Sequence, residues 1–137
     1  MTQVDFYILK ETHKEPFICR LVEKIYHRGH QIYIHCDDQN SADKIDKLLW
    51  SFHPGSFIPH SQLESSDAIE QINIGISENP QQHADVLINM GKDVPLFFSR
   101  FDRVSEIIPG NDVEKNQGRI RYGFYRDRGY DLKTHQL

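Results

Sequence analysis

The first half of the chain alternates element types, and that alternation restricts its topology more than any other feature. Val4 to Leu9 is a short β-type run. Pro16 then opens a helical pattern in which Phe17, Ile18, Leu21, Val22, Ile25 and Tyr26 recur on one face. Proline suits a first helical turn, where its missing N–H would have no partner in any case. Gly29 stops that helix. Gln31 to His35 reads as a second strand, and Asn40 or Ser41 is expected to cap a second helix that groups Ala42, Ile45, Leu48 and Leu49. Strand–helix–strand–helix demands parallel strands joined by right-handed crossovers. The expectation is a three-layer, Rossmann-like α/β fold with a mostly parallel central sheet, in one domain over residues 1–137.

The second half is harder to read. Residues 51–66 look irregular, with prolines at 54 and 59. Ile72–Ile76, Val86–Met90 and Val104–Ile108 are strand candidates, giving five in all. Pro95 to Phe101 reads as a short helical or irregular piece. A last helix is expected from Asp112 to about Arg128, closed by Gly129, and the tail from Tyr130 to Leu137 shows no periodicity.

A doubly wound sheet raises the question of a nucleotide. The turn after the first strand, Lys10-Glu-Thr-His-Lys-Glu-Pro16, holds no glycine and two glutamates. Neither a dinucleotide fingerprint nor a Walker A loop occurs, so no phosphate-binding loop is expected. His27 and His30 lie three apart across Gly29, with no third ligand at metal spacing. Asp37 and Asp38 read as a capping loop, and Cys19 and Cys36 as buried free thiols. No serine sits in a nucleophile elbow. The reading is a protein without an active site, cofactor or metal.

The last helix is the strongest functional signal. The chain is acidic, with a formal net charge of −4, yet Lys115, Arg119, Tyr122 and Arg126 fall on one helical stripe at i, i+4, i+7 and i+11. Val113, Ile120 and Phe124 fall opposite and are expected to face the core. A cationic stripe holding a tyrosine suits an anionic partner, and arginine binds carboxylate or phosphate bidentately. A second cluster, Trp50-Ser-Phe-His-Pro-Gly-Ser-Phe-Ile-Pro-His60, is aromatic and proline-rich, as protein interfaces are. No basic n-region or cleavage site opens the chain, and no apolar run is long enough to span a bilayer. A cytoplasmic protein without membrane contact is expected.

Several stretches in order carry a family resemblance: Asp5-Phe-Tyr-Ile-Leu9, Asp46-Lys-Leu-Leu-Trp50, Ser56-Phe-Ile-Pro-His60, Asp85-Val-Leu-Ile-Asn-Met90, Pro95 through Ile108, and Arg119-x-Arg-Tyr-x-x-Tyr-Arg-x-x-Gly129. With these the chain resembles the chi subunits of bacterial DNA polymerase III. The resemblance implies a Rossmann-like fold without a nucleotide site, in a non-catalytic accessory subunit of the clamp-loader complex. It implies two partners: the psi subunit, and the acidic C-terminal tail of single-stranded DNA-binding protein. DNA contact would then be indirect. Lys115, Arg119 and Tyr122 match the tail-receiving positions. Relatives of this kind carry lysine after the tyrosine where this chain has Gly123, so Arg121 or Arg126 would supply the charge. They also carry an aromatic near the C-terminus that residues 132–137 lack. Trp50, Phe52, Phe57 and Pro59 fall in the region that resembles the psi-facing patch. Two alternatives stand beside this reading. One is a nucleotide-handling enzyme of the doubly wound class. The other is a direct single-stranded DNA binder that stacks bases on Tyr122 and Tyr125.

Overall fold

The structure, a computed structural model, describes residues 2–51, 59–62, 71–76, 80 and 83–137. Strand β1 (Gln3–Ile8) leads through α1 (Glu15–His27) to β2 (Ile32–His35), and α2 (Gln39–Ser51) leads on to β3 (His60–Gln62). Strands β4 (Ile72–Gly75), β5 (Val86–Asn89) and β6 (Arg103–Ile108) follow, then α3 (Asp112–Asp127) and β7 (Asp131–Gln136). The sheet order is β3-β4-β2-β5-β6-β1-β7. Every neighbouring pair is parallel.

Period-two alternation sorts the strand residues between two cores. Ile32, Ile34, Ile72, Ile74, Val86 and Ile88 face α1 and α2, where they pack on Ile18, Val22 and Ile45. Val4, Phe6, Tyr33, Leu87 and Val104 face the other way, against Phe97, Phe98, Phe101 and Tyr125 of the α3 layer. Each such large apolar side chain contributes about 1.5–3 kcal/mol on burial. The three-layer α/β architecture is the one the sequence implies.

Four expectations need correction. The tail is not structureless: it forms β7, in register with β1 from Gln3↔Asp131 to Ile8↔Gln136. The stretch read as irregular contains β3, so the described residues hold seven strands rather than five. Neither Asn40 nor Ser41 caps α2; the Asp38 carboxylate does, accepting from Ser41 N at 2.8 Å. Finally, Val113 and Ile120 do not face the core. They are 65% and 74% exposed, while Gly118, Arg121 and Tyr125 face inward and Phe124 is half-buried against Phe98.

A buried charge explains that rotation of α3. Glu106 on β6 is fully buried, and burial raises its pKa, with Arg121 as the main opposing influence. Arg121 Nε donates to Glu106 Oε1 at 2.8 Å; Tyr125 Oη and Asn89 Nδ2 donate to Oε2 at 2.8 and 2.9 Å. Arg121 also donates to the Lys92 carbonyl at 2.9 Å. A carboxylate taken out of water costs several kcal/mol unless paired and hydrogen-bonded, so α3 must turn Arg121 and Tyr125 inward.

Arg121→Ala, which strands Glu106, is expected to cost about 3–5 kcal/mol in urea unfolding. Arg119→Ala, outside the network, should leave the midpoint unchanged.

A second expectation concerns pH. His83 is 1% exposed, with Nε2 2.8 Å from Asn73 Oδ1 and no partner for Nδ1 among the described residues. Burial lowers its pKa from 6.5. The unfolded chain therefore takes up the proton first. This contribution to stability is full above the unfolded value and is lost as pH falls from there through the folded value. His83→Gln should flatten the stability profile over that window, as read by thermal unfolding at a series of pH values.

Candidate functional site

Asn111 starts α3 by accepting from Glu114 N at 3.0 Å through its side-chain oxygen. Asp112 and Glu114 sit in the first turn, where the helix dipole favours acids. Gly129, at φ 78°, ends the element as the sequence implies. Between these ends α3 crosses from β6 over β1 to β7, which lies at the sheet edge. Gly118 sets how close it lies: a Cβ there would come within 2.5 Å of Ile108 Cδ1.

This close crossing leaves a groove of about 280 Å³ between α3 and the edge of the sheet. Phe6 and Ile8 of β1 and Ile108 of β6 form an apolar floor. Lys115, Gly118, Arg119 and Tyr122, at i, i+3, i+4 and i+7, form the helical wall. Thr134 and Gln136 of β7 form the outer side, opposite Phe6 and Ile8 in register. Tyr122 packs edge-on against Phe6, with ring centroids 5.1 Å apart. Lys115 is exposed and has no acidic partner among the described residues. Arg119 is also exposed and, among the described residues, bonds only to the neutral Asn116 amide, at 2.7 Å. An apolar slot rimmed by two unneutralised cations suits an anionic ligand with an apolar end.

Other candidate residues are placed differently. Arg121 points away from the groove into the Glu106 network, so it is a structural anchor and not part of this wall. Arg126 is exposed one turn beyond Tyr122, beside Asp127 at 3.2 Å, and does not line the groove. Tyr125 is fully buried and cannot stack a base. Trp50 is 48% exposed at the end of α2, its ring 4.1 Å from that of His60. Pro59 is half-buried, and Phe52 and Phe57 lie outside the described residues.

Residues 1–133 match the family described as DNA polymerase III chi subunit, HolC. The chain belongs to that family. It is 38% identical to the DNA polymerase III subunit chi of Pseudomonas aeruginosa, covering all of this chain and 98% of the relative. The chi subunit of Haemophilus influenzae is 31% identical over 96% of this chain and 95% of its own, and that of Escherichia coli 27% over 88% and 83%. By name these relatives are chi subunits of DNA polymerase III.

The groove floor and its β7 side escape sequence reasoning. Phe6, Ile8 and Ile108 look like ordinary core residues, and β7 presents too few apolar side chains to signal a strand. The available hint is topological: in an alternating α/β chain, a helix ended by glycine returns to the sheet.

Gly123 is half-buried, yet a Cβ there would meet only Arg126 Nη2, at 3.7 Å. Gly123→Lys is therefore expected to fit and to raise stability by ~0.5–1 kcal/mol through helix propensity, read as a higher denaturant midpoint.

Proposed function

We propose that this chi-family chain is the non-catalytic adaptor that joins the clamp-loader complex, through the psi subunit, to the acidic C-terminal tail of single-stranded DNA-binding protein. The observation that carries the reading is the groove beside α3. Lys115 and Arg119 stand at its rim without acidic partners among the described residues, over a floor of Phe6, Ile8 and Ile108. Aspartates and a terminal carboxylate would pair with the two cations, Arg119 in a bidentate manner. A terminal apolar side chain would leave water for the floor beside Tyr122 and add about 1.5–3 kcal/mol. Exposed ion pairs alone supply at most about 1 kcal/mol each, so the apolar end residue is the anchor and the charges select and orient.

The exposed Trp50, its ring tilted against that of His60, supports a second protein contact at the opposite end of the sheet, where psi would dock. DNA contact is then indirect, and localisation is cytoplasmic with the replication machinery. The nucleotide-enzyme alternative gains no support from the turn after β1. Gly110 N donates to Glu11 O at 2.7 Å, and Lys14 Nζ donates to Glu114 at 2.7 Å and to Met90 O at 3.3 Å. Lys14, the cation nearest a helix start, is thus committed to internal contacts.

An acidic peptide ending in phenylalanine with a free carboxylate should bind with micromolar affinity, weakening as salt rises. Arg119→Glu should abolish most of that binding, and Gly123→Lys should strengthen it. Calorimetry decides: unchanged affinity in Arg119→Glu would sink the site assignment.

A further inference from the structure

The face of β1 opposite the groove carries a second, smaller pocket of about 100 Å³, under the C-terminal half of α1. Lys24 of α1, Arg28 at its C-cap and Arg103 of β6 line it, with Tyr7 and Ser105. Lys24 and Arg28 are exposed and have no acidic partner among the described residues. Ser105 is only 4% exposed, and its hydroxyl and that of Tyr7 have no hydrogen-bond partner among the described residues. Burial, then Asp5, raises the Tyr7 pKa, with Arg103 and Arg28 opposing, so the phenol is a donor at neutral pH.

Cations in a last helical turn ordinarily complement the helix dipole. That accounts for Lys24 and Arg28. It does not account for Arg103, which comes from a strand, or for Ser105 in the lining, whose hydroxyl has no partner among the described residues. Asp5, also at the pocket, is already engaged by Arg103 Nη2 at 3.0 Å and His135 Nε2 at 3.1 Å. Three cations face this one carboxylate and a helix end worth about half a negative charge, so the pocket is net positive. Its volume is far below the roughly 300 Å³ of a small-molecule site. It suits a single compact oxyanion.

We propose that this pocket is a phosphate site: Lys24, Arg28 and Arg103 supply the charge, and Tyr7 and Ser105 donate hydrogen bonds to the oxygens. The phosphate can be a free ion or one phosphodiester of a single-stranded nucleic acid.

The test is a two-dimensional NMR titration of the full chain in a buffer free of phosphate and sulfate. Inorganic phosphate should give saturable shifts at residues 24–30 and 103–105 that chloride at equal ionic strength does not. The Lys24→Ala, Arg28→Ala double variant should bind about tenfold more weakly, while Arg119→Glu, on the other face, should bind phosphate normally. A short oligothymidylate that shifts the same residues and competes with phosphate identifies a nucleic-acid backbone as the source; phosphate binding without oligonucleotide binding identifies the free ion. Shifts equal to those in chloride, or undiminished in the double variant, overturn the site.

Discussion

A carboxylate buried in the middle of a β-strand has to be answered by another element, and Glu106 is answered by α3. Arg121 and Tyr125 both reach it from that helix, four residues apart, and Asn89 reaches it from β5. Two hydrogen bonds from one helix face allow only one rotation of that helix about its axis. The rotation leaves Val113 and Ile120 in solvent. Exposing two aliphatic side chains forgoes a few kcal/mol of burial, which is comparable with what an unpaired Glu106 would cost. The polar network prevails because its penalty falls on the folded core, whereas the exposed side chains merely remain hydrated.

The same rotation makes the groove. With Arg121 inward, Lys115, Gly118, Arg119 and Tyr122 turn toward the β1–β7 edge. Gly118 then brings the helix down on Ile108, so the cationic side chains rise directly from an apolar floor. Charge and apolar surface are thus within one side chain's reach of each other.

What could be read from sequence divides along this line. The alternation of strands and helices is written in apolar periodicity, and Pro16, Gly29 and Gly129 punctuate it where the structure does. The cationic stripe was legible because spacing along one helix is local information. Which face of α3 is inward was not legible, because the deciding partner, Glu106, lies on a different element and nothing local marks it as buried. Aliphatic Val113 and Ile120 point to the wrong face, and Arg121 looks like a further surface cation. β3 and β7 fail for a related reason: short or polar edge strands are specified by the ladder beside them more than by their own residues. The aromatic cluster around Trp50 lies partly outside the described residues, so its reading rests on Trp50 and Pro59.

Strand β1 joins the two faces. Its even residues Phe6 and Ile8 floor the groove, and its odd residues Asp5 and Tyr7 line the opposite pocket. β7 repeats the division one strand further out. Thr134 and Gln136 face the groove, while His135 bonds to Asp5 and stacks on Tyr7 at 4.7 Å. Among the described residues β7 has a strand neighbour on one side only, so it is held by the β1 ladder, by Leu132 against the core and by this His135–Asp5–Tyr7 contact. Asp5 also receives Arg103. The period of a single β-strand is therefore enough to place the α3 groove and the pocket under α1 back to back. Because β7 contributes to one and braces the other, the two are mechanically linked through an edge strand of the sheet.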